Sequence, residues 1–249
     1  LWIFNAGNSF AGNPKWMFEY IIRHHKEIKP VWMCYNADTM NYVHKLGYEA
    51  ELYHSSKGKS VMAKAGVYVV EMCKEVFQPE LSGITVLNLW HGVGCKSIER
   101  KVTDGFLQER IAKKYIQNND ILRNNQLFLV TSEIMEKHFK EQCGIDDDKV
   151  IRAGYPRCVV NDNIQSYDHD IRKKKGLSAN TKLAIYCPTY RDNNGANFMK
   201  SALPDMKRLA EVLHENNILL ILKMHPLVEK DTQYLAMKEV YREHPNFYF

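Results

Sequence analysis

Three polar groups of residues follow apolar runs along the chain, and each group carries a histidine or an arginine. They are WHGVG at 90–94, PTYRD at 188–192 and KMHP at 223–226. In open α/β sheets, ligands bind outside the carboxyl ends of the strands. Arginine offers a planar fork to phosphate oxygens, and histidine exchanges a proton near neutral pH. Together the three groups predict phosphate chemistry in a cleft between two domains.

The first group ends the apolar run ITVLNLW with His91, and Gly92 and Gly94 follow it. Glycines let a backbone approach another group closely, so we expect a substrate or another part of the protein to lie against this turn. A polyanionic partner would suit the basic residues that come next, which are Lys96, Arg100 and Lys101.

Each group also has a plainer interpretation. A histidine that closes a strand, such as His225 taken alone, is more often a hydrogen-bonded structural residue than a catalyst. Arg191 next to Asp192 is compatible with a surface ion pair of little energetic value. The GxG pattern without a third glycine is a weak nucleotide fingerprint. The recurrence of one chemistry at three strand ends favours the phosphate site.

Alternating apolar runs and helical patterns predict parallel sheets covered by helices. Strands are predicted at 1–4, 31–35, 67–71, 84–90, 126–132, 149–156, 182–190, 218–226 and 246–249. Helices are predicted at 13–25, 105–117, 133–142, 204–216 and 230–243. Asn13, followed by Pro14, indicates the cap and the first turn of the first helix.

The length of 249 residues predicts two domains. The pattern is interrupted by Gly154, Tyr155 and Pro156 and by the polar stretch that follows, so we place the domains at 1–160 and 161–249. Both are expected to be Rossmann-like. The second domain has few predicted strands, and we expect it to be truncated at its carboxyl end.

The composition is that of a globular protein, with 45% hydrophobic and 25% charged residues. No apolar run reaches the ~18 residues of a membrane span. The six cysteines form no CxxC pair and no zinc spacing, which predicts reduced thiols and a cytoplasmic location, and no residue is predicted as a metal ligand. Basic clusters at 113–114 and 172–175 are more typical of solvated helix faces than of a polyanion or membrane site.

Four motifs together resemble one known family. WHG-x-x-x-K at 90–96, GYPR at 154–157, PTYR at 188–191 and LKMHP at 222–226 have the order and approximate spacing of the CDP-glycerol glycerophosphotransferase family, the teichoic-acid and capsule polymerase type. The resemblance implies a GT-B architecture. It also implies transfer of glycerol phosphate or ribitol phosphate from a CDP-polyol to a hydroxyl of a growing teichoic-acid-like or capsular polymer, with release of CMP.

The resemblance also implies roles for single residues. His91 is expected to be the base that acts on the acceptor hydroxyl, within an acceptor-side domain. His225 is expected to be the second catalytic residue, in a nucleotide-donor domain, where Arg191 would also meet the donor pyrophosphate. Further substrate contacts are expected from the remaining motif residues, which are Thr189, Gly92, Gly94, Lys96 and Pro226. No cofactor is implied beyond the donor substrate, CDP-glycerol or CDP-ribitol.

The sequence departs from the family pattern in two places. The run GVGCKSIER stands where the family more often has a Pro-Leu-Lys-Lys run, which leaves the acceptor open. The chain also stops at Phe249, before the segment with which the family closes its nucleotide site.

The expected partners are the CDP-polyol donor, a polyanionic polymer or lipid-linked acceptor and an anionic membrane surface, but no nucleic acid. The protein is then expected at the inner face of the cell membrane, bound peripherally. A nucleotide-sugar glycosyltransferase is one alternative, although Glu229 and Glu239 do not form the E-x7-E pattern. A non-catalytic domain that binds anionic polymers is the other, although the cluster at 172–175 contains no interleaved aromatic residue.

Overall fold

The protein is described by a computed structural model that covers most of the chain. The described residues are 1–72, 79–81, 83–94, 97–105, 108–117, 126–159, 171–188, 201–225, 229 and 231–249. The chain divides into two compact units, Leu1–Ile164 and Gln165–Phe249. None of the helices in these ranges has the length and hydrophobicity that crossing a membrane requires.

The first unit contains a parallel sheet of seven described strands. They are β1 (Trp2–Phe4), β2 (Pro30–Cys34), β3 (Ala50–Leu52), β4 (Val67–Val70), β5 (Thr85–Asn88), β6 (Gln126–Val130) and β7 (Val150–Arg152). Their spatial order is β3-β2-β1-β4-β5-β6-β7. The order reverses between β1 and β4, which makes the carboxyl ends of these strands the topological switch point where ligands of such sheets bind.

The first unit also contains six described α-helices, five between strands of the sheet and one after β7. They are α1 (Gly12–His24), α2 (Ala37–Lys45), α3 (Ser56–Ala63), α4 (Gln108–Gln117), α5 (Glu133–Cys143) and the short α6 (Pro156–Val159). Side-chain oxygens of Asn36, Ser55 and Ser132 cap α2, α3 and α5 by accepting from backbone N–H groups. Gly144, with φ +68°, ends α5 in the left-handed conformation that favours glycine.

The sheet of the first unit is buried on both faces. Along β1, Phe4 packs into a cluster with Trp32 and Phe128, whereas the neighbouring Ile3 packs into a second cluster with Met33. Because successive side chains of a strand point to opposite faces, both faces of a doubly wound sheet need apolar residues. This explains why its strands are nearly continuous apolar runs.

The second unit has a smaller parallel sheet, in which the strand near 218–222 lies between the other two. Its described elements are β8 (Lys182–Tyr186), β9 (Ile218–Leu222), β10 (Phe247–Tyr248) and the helices α7 (Ile171–Lys174), α8 (Met206–Glu215) and α9 (Thr232–Tyr241). Leu220, Leu222 and Phe247 belong to the core of this unit, together with Leu213 of α8 and Tyr234 of α9. The α/β class of both units and the third strand near 247 are confirmed.

Most of the basic cluster at 172–175 is bound within the second unit. Arg172 Nε donates to the Thr181 carbonyl at 2.7 Å, and Lys174 Nζ donates to the Tyr248 hydroxyl at 3.0 Å. Lys175 Nζ donates to the carbonyl of Arg242, just after α9, at 3.2 Å. These contacts hold α7 to the rest of the unit. The predicted interpretation of the cluster as a solvated helix face is therefore incomplete.

Candidate active site

The turn after β5 is built by asparagine side chains. Asn88 is fully buried, and its Oδ1 accepts from Trp90 N at 2.9 Å while its Nδ2 donates to Gln126 Oε1 of β6 at 2.9 Å. Trp90 has φ +49°, in the left-handed region that residues with a Cβ rarely adopt. Such a conformation costs about 1–3 kcal/mol and persists only where neighbouring contacts enforce it.

Asn13 of α1 supplies further contacts to this turn. Its side chain is fully buried, with Nδ2 donating to the carbonyls of Trp90 at 2.6 Å and Leu89 at 3.4 Å. Its Oδ1 accepts from Arg157 N at 3.4 Å. Asn13 therefore joins the turn after β5 to α1 and to the GYPR segment.

The prediction that Asn13 caps α1 was wrong. The cap position is Ala11, which makes no side-chain hydrogen bond, and the helix begins at Gly12. The capping acceptor is instead the Glu71 carboxylate, which follows β4 and accepts from Asn13 N at 3.2 Å. Gly12, with φ +68°, lies directly against this carboxylate and leaves it room that a side chain would fill. Because Glu71 serves as the capping acceptor, the side-chain amide of Asn13 is available to bind the turn after β5.

His91 lies on the surface with one face of its ring covered. The imidazole stacks on the indole of Trp90, with centroids 4.4 Å apart and planes inclined by 24°, and Trp90 itself is buried. Desolvation of the ring and, to a smaller extent, the positive charge of Arg157 lower the pKa of His91 below its usual value. Its neutral form, which is the form that accepts a proton, is thus favoured at pH 7.

Arg157 and Tyr155 of the GYPR segment hold the same turn from its outer side. Arg157 Nη2 donates to the His91 carbonyl at 2.8 Å, and the Tyr155 hydroxyl donates to the Gly92 carbonyl at 2.8 Å. Tyr155 is buried, whereas Arg157 is exposed. An exposed guanidinium therefore lies beside the imidazole. The motif GYPR was visible in the sequence, but only the fold gives its arginine and tyrosine these contacts.

The protein's own side chains occupy the space over both glycines of the turn. A Cβ at Gly92, where φ is +155°, would lie 3.3 Å from Arg157 Nη2, and a Cβ at Gly94 would lie 2.5 Å from His138 Nε2. A side chain at position 94 would therefore require His138 to move, so internal packing by itself favours glycine there. Substrate contacts of Gly92 and Gly94 stay a prediction.

The basic stretch after the turn, which includes Arg100 and Lys101, packs in part against the end of α5. Ile98 N donates to Gln142 Oε1 at 2.7 Å, and the Arg100 guanidinium lies directly over Gly144 at the end of α5. A positive charge is favourable at a helix C-terminus. Arg100 thus has a structural role, Lys101 is exposed, and the predicted site residue Lys96 lies outside the described residues.

In the second unit, the register pairs Tyr186 of β8 with Leu222 of β9. The segments that follow the two strands therefore leave the sheet at the same edge. His225 is exposed, Met224 before it is buried, and Lys223 Nζ pairs with Glu229 Oε1 at 2.9 Å. Three predicted site residues of this unit lie outside the described residues, namely Thr189, Arg191 and Pro226.

Among the residues that the structure describes, no three histidine, cysteine or carboxylate side chains are grouped so that they could hold a metal ion. In the first unit, His91, its two glycines and Arg157 lie together, and the side chain of Asn13 binds the backbone of both Trp90 and Arg157. The second unit places His225 at the carboxyl edge of its own parallel sheet. Two Rossmann-like units with these residues at their strand ends define the fold class as GT-B-like.

Solved structures have the same fold. The wall teichoic acid polymerase TagF superimposes with a TM-score of 0.71 at 18% sequence identity, over 92% of this chain and 57% of that one. The S. aureus MnaA–UDP complex superimposes with a TM-score of 0.56 at 13% identity, over 99% of this chain and 67% of that one. At these identities the similarity establishes the fold.

The chain belongs to the CDP-glycerol:poly(glycerophosphate) glycerophosphotransferase family, whose sequence profile matches residues 1–245. The resemblance drawn from the four motifs is confirmed. A teichoic acid poly(glycerol phosphate) polymerase of Bacillus subtilis is 25% identical over 90% of this chain and 31% of its own length. The teichoic acid ribitol-phosphate polymerase TarL of Staphylococcus aureus is 28% identical over 64% of this chain and 29% of its own length. The chain thus spans about a third of these curated relatives.

Proposed function

We propose that this protein transfers glycerol phosphate or ribitol phosphate from a CDP-polyol to a hydroxyl of a growing teichoic-acid-like polymer. The observation that carries the proposal is His91, an exposed imidazole stacked on Trp90, whose lowered pKa favours the neutral base. Family membership supports the donor class, and relatives named for either polyol are found, so the donor polyol is left to experiment.

In the proposed reaction, His91 takes the proton of the acceptor hydroxyl while the hydroxyl oxygen attacks the phosphorus that carries the polyol. A new P–O bond forms, the P–O bond to CMP breaks, and CMP leaves with the electron pair. Such transfers depend on positioning and on stabilisation of charge on the phosphoryl and leaving groups. We assign that second task to Arg191 and His225, with Thr189 and Pro226 shaping their motifs.

The acceptor in this proposal is polyanionic, because a polyol-phosphate polymer carries a phosphodiester close to its terminal hydroxyl. The exposed guanidinium of Arg157 lies next to His91 and suits that phosphodiester. Lys101, which follows the His91 turn along the chain, is a further exposed cation. Lys96, between the two in sequence, is proposed to meet the same acceptor. A lipid-linked primer, a capsular polymer and peripheral binding to an anionic membrane are finer parts of the same proposal.

The direct test uses the full-length protein. It is incubated separately with CDP-glycerol, CDP-ribitol and a UDP-sugar, each with and without a polyol-phosphate polymer, and nucleotide release is measured. We expect polymer-dependent release of CMP from one CDP-polyol. Release of UDP from the sugar donor alone would indicate a glycosyltransferase, and polymer binding without release from any donor would indicate a binding domain.

Arg157 gives a prediction about the acceptor. Arg157→Ala is expected to lower kcat/KM for the polymer about 10- to 100-fold, chiefly through KM, because a charge-assisted hydrogen bond to phosphate is lost. Since Arg157 lowers the pKa of His91, its removal should also move the acid limb of the kcat/KM profile to higher pH. Steady-state rates against polymer concentration and pH measure both effects.

Arg152→Ala is the matched control, because Arg152 is an exposed arginine of the same unit whose Nε pairs with Glu136 Oε2 at 2.7 Å. It should change neither KM nor the acid limb. Arg157→Lys keeps the positive charge but loses the planar guanidinium. The acid limb of the kcat/KM profile should therefore stay at its wild-type pH, while part of the affinity for the polymer is lost. Equal behaviour of the Arg157 and Arg152 variants would contradict the acceptor role.

A further inference from the structure

We infer that Asn13 is the positioning residue of the candidate base, because its buried side chain holds the Trp90–His91 turn in the geometry that transfer needs. This inference rests on the function proposed above. It concerns a residue of α1 that is remote in sequence from every motif discussed. Asn13 does not act on the substrate itself, and its effect is transmitted through the backbone on which His91 is carried.

The hydrogen bonds of the Asn13 side chain go to the backbone of residues that precede or contact His91. Its amide donates to the carbonyls of the two residues before the histidine, Leu89 at 3.4 Å and Trp90 at 2.6 Å. Its carbonyl oxygen accepts from the backbone of Arg157, whose guanidinium donates to the His91 carbonyl. The described partners of this side chain are thus the two residues that precede His91 and the residue whose guanidinium binds the His91 carbonyl.

The turn needs such support because its relaxed conformation would be different. Trp90 has a positive φ, and it carries the indole on which the imidazole stacks. If the Trp90 carbonyl lost its donor, the residue could return to an ordinary conformation and would move both rings. A reacting group displaced by about 1 Å can cost 10²-fold in rate, even when the group itself is intact.

The support itself has a fixed base. Asn13 N donates to the Glu71 carboxylate at 3.2 Å, and Gly12 leaves space for that carboxylate. Glu71 directly follows β4, which lies next to β5 in the sheet. The turn after β5 is therefore connected to the end of the neighbouring strand β4 through Asn13, which binds Glu71 with its backbone and the turn with its side chain.

A buried asparagine can also serve stability alone, and Asn5 provides the comparison. Asn5 follows β1, is also fully buried, and its Nδ2 donates to the carbonyls of Met33 at 2.7 Å and Gly7 at 3.2 Å. Neither of these partners adjoins His91. Substitutions at Asn5 should therefore reproduce the loss of stability without the loss of positioning.

The test compares Asn13→Asp and Asn13→Ala with Asn5→Asp and Asn5→Ala in the full-length protein. The aspartates keep the shape but, when ionised, cannot donate to a carbonyl. The readouts are the melting temperature, donor affinity by calorimetry, kcat and KM for donor and polymer, and the NMR signal of ¹³Cε1-labelled His91, identified with His91→Gln. We expect both Asn13 variants to lower kcat about 10- to 100-fold, to leave donor affinity unchanged and to shift the His91 signal. The Asn5 variants should lower the melting temperature only.

The inference is overturned if folded Asn13 variants keep the wild-type kcat and His91 signal. If neither folds, Asn13→Ser, whose hydroxyl can donate to one carbonyl, is judged by the same criteria. The NMR comparison does not depend on catalysis. An inactive wild-type protein in which the Asn13 variants alone shift His91 would therefore contradict the proposed function and leave the positioning role supported.

Discussion

His91→Ala is expected to abolish transfer while the fold and the affinity for the CDP-polyol donor are retained. General bases contribute about 10²- to 10⁴-fold, so a loss of that size is expected in kcat. The fold should persist because the His91 side chain is exposed. Donor affinity should persist because the base is proposed to act on the acceptor hydroxyl. Circular dichroism, calorimetric titration with CDP-glycerol and CMP release measure the three quantities.

The wild-type pH profile provides a second measurement of the same role. The reaction needs neutral His91, so kcat/KM should rise with pH through the pKa of this residue. Because desolvation and Arg157 lower that pKa, the acid limb should lie below the usual histidine value of about 6.5. His24→Ala, which removes an exposed histidine at the other end of α1, should leave the rate and the profile unchanged. A loss of donor affinity as large as the loss of rate in His91→Ala would refute the assignment.

His225→Ala is expected to lower kcat and kcat/KM together by about 10²- to 10³-fold, the usual effect of removing one group that stabilises developing charge. His225 is exposed at the carboxyl edge of the second sheet, two residues beyond the salt-bridged Lys223. Its replacement should therefore change the melting temperature little. Steady-state kinetics and thermal unfolding of the same preparation make the comparison.

The matched control is His214→Ala, an exposed histidine of α8 in the same unit. It should alter neither rate constant. If His225 serves only the structure of its loop, the result is reversed, with a lower melting temperature and a normal kcat for the folded fraction. Arg191, which is proposed to meet the same donor pyrophosphate, is expected to behave like His225 and not like His214.

The sequence by itself determined the class of fold and the family. Strand-sized apolar runs such as ILLIL, alternating with amphipathic segments, are enough to indicate parallel sheets, because burial on both faces leaves little room for polar residues. The region 37–63 was missed, although it contains α2, β3 and α3. Val43 is the buried residue of α2, and β3 has only three residues, so neither contains the apolar run that marks the other strands and helices in the sequence.

Part of the candidate site was likewise recognisable in the sequence, and part was not. His91 and His225 were recognisable because their motifs are local and because each follows an apolar run. Arg100, in contrast, has a contact that the sequence did not indicate, because its guanidinium lies on the C-terminus of α5. Its contact with the acceptor stays a prediction. Which anion or carbonyl a basic side chain meets depends on elements that are distant in sequence.

Asn13 shows most directly what only the tertiary structure decided. Next to Pro14, local rules predict a helix cap, because an asparagine oxygen commonly accepts from the first free N–H groups of a helix. The fold instead brings in Glu71, 58 residues away, as the acceptor for Asn13 N. It also brings the Leu89 and Trp90 carbonyls, 76 and 77 residues away, to the Asn13 amide. A buried polar group must be satisfied, but its partner is selected by packing, and no local pattern encodes that choice.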